Sequence, residues 1–394
     1  MIPAGEHEGP FAHLARDLES LSSRGRRRAL AAASGRDFSS NDYLGLAASP
    51  ELRDSALEAA RRGVPIGAGG SRLLRGNHPE HEALEDAAAR YFGAPSALYF
   101  GSGYAANLAL FGAAPQRGDL VVHDEFVHAS VHDGMRRGRA EIVSAPHNSV
   151  QGIEDAIARW RSQGGAGRVW IAVESLYSMD GDGPNLAELD ALAARREAIL
   201  VIDEAHATGV LGPKGRGRAA FLEGRENVVT LHTCGKALGT AGAFVCGPRV
   251  LADFLVNRAR PFIFSTAPSP LLAAVTRAAM SICEHGDERR ARLAGLVEHA
   301  HAALRRAFGL AGSGSHILPI IIGEDRAAVE LASRIRARGY DVRAIRPPTV
   351  PAGMARLRIA LTLNVDEAAI DGLFEAMSLE QVADYAGRAR PQRV

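Results

Sequence analysis

Lysine is almost absent from this chain. Of 46 basic side chains only Lys214 and Lys236 are lysines, and the other 44 are arginines. A guanidinium stays protonated and cannot act as an amine nucleophile, whereas a desolvated lysine can. Chemistry that needs a Schiff base therefore has two side chains to choose from. Cysteine is nearly as scarce. Cys234, Cys246 and Cys283 form no CxxC pair and are too few to staple 394 residues, so reduced thiols in a cytoplasmic setting are expected. A dominant charge is also missing: the formal net charge is +1, which offers no broad field to nucleic acid or anionic lipid. No run of about 18 apolar residues is present to span a membrane. The opening MIPAGEHEGPFAHLARDLES holds two early glutamates and no apolar stretch, so no secretory leader is expected.

Hydrophobic residues make up 46% and charged ones 23%, the balance of an ordinary globular protein rather than a disordered one. At roughly 100–200 residues per domain the length suggests about two or three domains. Residues 1–45 read as an arginine-rich helical arm. Over 46–276 short apolar runs alternate with helical stretches: Ala97–Phe100, Leu120–Val122, Val169–Val173, Ile199–Ile202, Val228–Leu231 and Ala243–Val245. Between them lie amphipathic segments such as Leu186–Ala198, with Leu186, Leu189, Leu192 and Ala193 at helical spacing. This pattern predicts an α/β fold with a mainly parallel sheet covered on both faces. From 277 to 394 the texture changes. A long helix over Asp287–Phe308, the strand ILPIIIG, a helix near Ala327–Arg338 and a strand near Ala355–Leu361 predict a smaller α+β domain.

Ligands of open α/β sheets bind beyond the carboxyl ends of the strands, so the polar residues after each apolar run are the candidates. Gly101-Ser102-Gly103-Tyr104 precedes a helix, where backbone N–H groups suit a phosphate, although a tight turn explains the glycines equally well. It is not a nucleophile elbow, and no P-loop surrounds Lys236. His128-Ala129-Ser130 opens another helix. Asp180-Gly181-Asp182 lacks the further ligands of a calcium loop. Asp203-Glu204-Ala205-His206 puts a carboxylate at a strand tip and an imidazole three residues on. Helix capping by Asp203 and a zinc site are the alternatives, the latter without a third ligand nearby. Lys236, just past a buried strand and flanked by Gly235 and Gly239, sits where desolvation favours the neutral, nucleophilic amine. Lys214, in Gly-Pro-Lys-Gly, has turn chemistry and should be wet. An amine, an anion cradle, a carboxylate and an imidazole at successive strand ends are what an aldehyde cofactor with a phosphate and a pyridine ring requires.

Those residues carry a resemblance to the α-oxoamine synthases, pyridoxal 5'-phosphate (PLP) enzymes of the aspartate-aminotransferase-like fold type I. It runs from about Asn41 to Phe374. Its segments are Ser40–Gly45, Gly69–Arg72, Gly101–Asn107, His128–Ser130, Ser178–Asp182, Asp203–His206, Thr233–Lys236 and Phe264–Thr266. Arg346–Pro351 followed by Ala355–Arg358 is similar to the branch that uses L-alanine and a pimeloyl thioester, carried on CoA or on a carrier protein.

The resemblance implies that Lys236 holds the cofactor and moves protons at Cα, that Asp203 pairs with the ring nitrogen, that His206 contacts the ring's phenolic oxygen, and that His128 stacks on the ring. Gly103 and Tyr104 would line the cofactor pocket, with Ser178 and Thr233 hydrogen-bonding to the cofactor. Thr266 would reach the cofactor of a second subunit, implying a homodimer. Asn41 and Arg358 would hold the amino acid carboxylate, with Arg346 competing for that role. Arg26 and Thr349 would contact the acyl substrate, and Cys234 would be a small buried filler. No metal, nucleic acid or membrane partner is implied. The rival readings are a glycine-using relative with a short acyl-CoA, a PLP-binding regulator, and a dinucleotide oxidoreductase. The regulator would need an appended DNA-binding domain, for which about forty N-terminal residues leave little room. The oxidoreductase would need a GxGxxG after a first strand.

Overall fold

A computed structural model describes residues 9–386. Residues 1–8, on which the reading of the opening segment partly rests, and 387–394, the end of the segment assigned to the smaller domain, lie outside the described residues. The chain divides into two compact units, one from Asn41 to Ala294 and one made of the residues up to Ser40 together with those from Gly295 on.

The larger unit is built on seven strands: β1 (Ser96–Phe100), β2 (Leu120–Asp124), β3 (Glu141–Ala145), β4 (Val169–Glu174), β5 (Ile199–Asp203), β6 (Val228–Thr233) and β7 (Ala243–Gly247). Their spatial order is β1-β7-β6-β5-β4-β2-β3. All neighbouring pairs are parallel except those involving β7, which runs against both β1 and β6. Each apolar run of the sequence became a strand. The edge strand β3 was not anticipated, because Glu-Ile-Val-Ser-Ala is half exposed and shows no continuous apolar run.

Alternation along each strand sorts its side chains onto two faces. Val121, Trp170, Ala172, Val201 and Val229 join one core with helices α1 (Gly103–Ala113) and α2 (Ala129–Arg137). Leu120, Val122, Val169, Ile171, Val173, Leu200 and Ile202 join the other with α3 (Val150–Ser162) and α4 (Leu186–Arg195). Helix α1 starts where Ser102 accepts a hydrogen bond from the Ala105 N–H, which fixes the end of the β1–α1 turn at the sheet's carboxyl edge. The helix expected over Leu186–Ala198 stops at Arg195, and Glu197 takes a φ of 50° in the turn into β5.

In the smaller unit an antiparallel sheet has the order β9 (Arg343–Ile345), β10 (Ala355–Ala360), β8 (Ile317–Gly323). Composition sets apart 1–45, 46–276 and 277–394, and the compact units divide elsewhere. Arg36–Asp37 pairs in parallel with Tyr340–Asp341, and the Ala360 N–H donates to the Phe38 carbonyl, which ties the residues before Ser40 to the smaller unit. Helix α5 (Pro270–Glu284) buries Ala273, Ala274 and Met280 within the larger one. Among the described residues, no helix is long and apolar enough to cross a membrane.

Leu192 is fully buried between α4 and the sheet. Leu192→Ala should lower the unfolding free energy by about 2–5 kcal/mol, read by chemical denaturation, whereas the exposed Leu57→Ala should shift it by no more than about 0.5 kcal/mol.

Candidate active site

The carboxyl ends of β1, β4, β5 and β6 and the segment after β2 converge on one cavity of about 370 Å³. Gly103, Tyr104, His128, Asp203, His206, Thr233 and Lys236 all line it. Seven residues spread over 134 positions meet because parallel strands all end on the same edge of the sheet.

Asp203 terminates β5. Its Oδ2 accepts from Asn107 Nδ2 at 2.9 Å and its Oδ1 from the Ala205 N–H at 2.9 Å. No helix starts after Asp203, so it caps none: one oxygen accepts the Ala205 N–H in the turn that follows β5, while Asn107 on α1 holds the other. The second Asn107 N–H goes to Ser130 Oγ at 3.0 Å, and Ser130 Oγ lies 2.7 Å from His128 Nδ1. The Ser130 backbone N–H also donates to that Nδ1. His128 therefore caps α2 with Nδ1 as acceptor and carries its proton on Nε2 when neutral. Burial, assisted by the Lys236 charge and opposed by Asp203, holds the His128 pKa below the usual histidine value.

Lys236 lies just past β6, with Nζ 3.0 Å from His206 Nε2. His206 Nδ1 lies 2.6 Å from the Tyr43 hydroxyl, which donates to Asn41 Oδ1 at 3.0 Å. The expected contrast between the lysines holds: Lys214 is exposed and pairs with Glu284 at 3.1 Å. Thr233 Oγ1 donates to the Ala205 carbonyl at 3.3 Å, and the Tyr104 hydroxyl donates to the Asp133 carboxylate.

Among the lining residues not expected as site residues are Asn107 and Glu174. Asn107 reads in sequence as part of an Ala-rich helix. Glu174 closes β4 after Val169–Val173, and its Cα pairs in register with that of Asp203 on β5. It is 3% exposed, and its Oε1 is buried with no hydrogen-bond partner. Burial first, and then the neighbouring Asp203 charge, push its pKa up to about 8. The signal available in sequence was position: a carboxylate ending an apolar strand next to another such strand. Glu204, by contrast, is spent on structure, accepting from Ser175 Oγ at 2.7 Å, the Arg218 N–H at 3.1 Å and the Ala219 N–H at 2.5 Å. Among the described residues no group of three or more His, Cys, Asp or Glu is arranged to hold a metal.

The remaining candidates lie outside that cavity's lining. Ser178 belongs to the loop after β4, and its backbone N–H points at the Glu174 carboxyl. Thr266 lies in an exposed stretch after the short helix Arg260–Ile263. Arg26, Arg346, Thr349 and Arg358 belong to the smaller unit. Arg26 Nε donates to Asp325 Oδ2 at 2.6 Å, and it is Arg28 that reaches Thr349 Oγ1, at 3.4 Å. Arg346 donates to the carbonyls of Arg27 and Ala344, and burial followed by the Arg28 charge lowers its pKa. Arg358 is buried on β10 opposite Arg343 and Pro319.

These residues fit a phosphorylated pyridine aldehyde. Glu174 Oε1 and Asn107 Oδ1 are buried polar atoms without protein partners at the cavity. A Cβ at Gly103 would stand 2.7 Å from Thr233 Cγ2, so glycine keeps the first turn of α1 close to Thr233. That helix N-terminus offers N–H donors to an anion. Fold and site together define a PLP-dependent enzyme of fold type I.

Residues 35–377 match the family described as aminotransferase class I and II. The chain is 42% identical over 385 residues to an 8-amino-7-oxononanoate synthase of Anaeromyxobacter dehalogenans, covering 94% of this chain and 96% of that protein. Among solved structures, a serine palmitoyltransferase of S. paucimobilis with PLP and myriocin bound has a TM-score of 0.85 at 26% identity, over 96% of this chain and 98% of that one. An 8-amino-7-oxononanoate synthase of Francisella tularensis has a TM-score of 0.75 at 27% identity, over 89% and 99%. The chain belongs to the class I and II aminotransferase family, within its group of 8-amino-7-oxononanoate synthases.

The loop carrying Ser178 has its own tether. His147 Nδ1 lies 3.0 Å from Asp124 Oδ1, and Nε2 lies 3.1 Å from Asp182 Oδ2. Burial opposes the charge on this imidazole, but hydrogen bonds and charge from both carboxylates outweigh it and raise the pKa from 6.5 to about 10. A raised folded-state pKa gives stability that is complete below the unfolded value and lost as pH climbs through the folded one. His147→Gln should therefore melt below wild type at pH 6, with the gap closing as pH approaches about 10. A gap of constant size from pH 6 to 10.5 in calorimetry would show that no histidinium bridges the two aspartates.

Proposed function

We propose that the enzyme condenses L-alanine with a pimeloyl thioester, releasing CO2 and the free thiol and giving 8-amino-7-oxononanoate, a step of biotin biosynthesis. The observation that carries this reading is the Lys236 amine, 3.0 Å from His206 in a cavity that also holds Asp203 and His128, in a chain whose other lysine is paired at the surface. Its 42% identity to the Anaeromyxobacter synthase supports the choice of substrates.

PLP, when bound, supplies an electron sink for negative charge at the amino acid's Cα. The chain supplies the rest. Lys236 would anchor the aldehyde carbon until the amino acid's amine displaces it, and the freed amine would then take the Cα proton and later return one. Asp203, fixed by Asn107 and the Ala205 N–H, keeps a proton on the ring nitrogen. His128 would stack on the ring, His206 would contact the phenolic oxygen, Ser178 would hydrogen-bond to the cofactor, and Gly103, Tyr104 and Thr233 would line its pocket, Thr233 near the phosphate. Asn41 and Arg358 orient the alanine carboxylate, a planar guanidinium being suited to two parallel hydrogen bonds, with Arg346 as the alternative partner. Arg26 and Thr349 bind the acyl chain. Thr266 completes the site of a second subunit, so the working form is a cytoplasmic homodimer.

Lys236→Ala should cut synthase activity by at least about 10²–10⁴-fold, the range a positioned proton-transfer group carries, with secondary structure unchanged by circular dichroism. Borohydride treatment of the yellow wild-type protein should fix the cofactor to the peptide containing Lys236. Mass spectrometry finding it on another peptide, or a faster condensation with glycine than with L-alanine, would overturn the assignment. Parallel assays with pimeloyl-CoA and pimeloyl carrier protein identify the donor.

A further inference from the structure

We infer that Tyr43 is a positioning residue whose single buried hydroxyl sets the tautomer of His206 and the amide orientation of Asn41. The inference rests on the roles just given to Lys236 and Asn41.

Tyr43 is 0% exposed and sits in a turn that leaves it little freedom. The Asp42 carboxylate accepts from the Leu46 N–H at 2.8 Å, the Asp42 carbonyl accepts from the Gly45 N–H at 2.9 Å, and Gly45 takes a left-handed φ of 63° that glycine adopts without strain. Leu44 and Leu46 on either side are fully buried. Packing thus holds the ring, and the hydroxyl only has to choose its hydrogen bonds.

A phenol has one proton, and an amide oxygen accepts only. With the Tyr43 proton directed to Asn41 Oδ1 at 3.0 Å, the phenolic oxygen must accept from His206 at 2.6 Å. His206 Nδ1 then carries the proton, and Nε2 presents a lone pair to Lys236 Nζ at 3.0 Å. In the cofactor-free protein Lys236 then donates to His206 both as an ammonium and as a neutral amine, and with the cofactor bound the same Nε2 lone pair is the acceptor for the cofactor's phenolic O–H. The reversed chain does not allow this. If Asn41 turned its NH2 toward Tyr43, the phenol would donate to Nδ1, and the Nε2–H would face the ammonium donor to donor.

The same bond orients the substrate side. Directing Asn41 Oδ1 at Tyr43 leaves its Nδ2 donors on the opposite side of the amide, the polarity a carboxylate needs. One hydroxyl therefore couples the group proposed to receive the amino acid carboxylate to the base proposed to act at its Cα.

The test uses full-length, cofactor-free protein labelled with ¹⁵N-histidine, with His206→Gln to assign the resonance. In long-range ¹H–¹⁵N spectra His206 should be the neutral Nδ1–H tautomer. In Tyr43→Phe, which keeps the ring, the population should move toward Nε2–H. The Nε2–H tautomer or a doubly protonated ring in wild type overturns the proposal, as does an unchanged tautomer in Tyr43→Phe. Should that variant fail to fold, the wild-type spectrum still decides. In the holoenzyme Tyr43→Phe should raise the KM for L-alanine about tenfold, on the scale of one lost hydrogen bond to a charged group, with a smaller change in kcat. An unchanged KM overturns the coupling to Asn41. The spectra need neither cofactor nor substrate, so they stand whichever amino acid and thioester the enzyme uses.

Discussion

Everything functional here depends on holding a lysine amine at the rim of a largely buried cavity, next to an imidazole. Lys236 has its Nζ 3.0 Å from His206 Nε2. Two acids line the same cavity. Asp203 is held by Asn107 and a backbone N–H, and Glu174, with a pKa pushed up to about 8, is largely protonated at neutral pH. The arginine-rich composition fits the same constraint, because a guanidinium is no competing nucleophile.

The sheet makes this possible. In-register parallel pairing of β4 and β5 puts Glu174 beside Asp203, and two buried carboxylates side by side cannot both ionise cheaply. Asp203 has both oxygens hydrogen-bonded, whereas Glu174, reached by the backbone N–H groups of Ser178 and His128, keeps Oε1 buried without a partner. Adjacent strands thus give chemically identical groups different tasks. The protonated neighbour limits the negative charge in a cavity that must also accept a phosphate.

The three thiols play no part in this chemistry. Cys234, Cys246 and Cys283 are free and buried, and burial pushes all three upward, Cys283 to about 12. Cys234 is fully buried beside the lysine segment, in keeping with the filler role read from its sequence position.

Much was legible because strand ends announce themselves. Continuous apolar runs marked β1, β2, β4, β5, β6 and β7, and the polar residues after them included Gly103, Tyr104, His128, Asp203, His206, Thr233 and Lys236, all of which line one cavity. Strand β3 escaped notice because an edge strand need not be apolar on both faces. Asn107 and Glu174 escaped because an asparagine inside a helix and a glutamate at a strand tip look the same whether they face a ligand or water.

Composition and periodicity were enough to determine the parallel α/β architecture and the choice of Lys236 over Lys214, since burial pattern and the shortage of amines are properties of the chain itself. Tertiary structure decided which atoms meet. The partners of Asp203, the side-by-side placement of Glu174, and the line from Asn41 through Tyr43 and His206 to Lys236 depend on strand register and turn geometry. Those juxtapose residues up to 195 positions apart, a distance over which local sequence carries no record of contact.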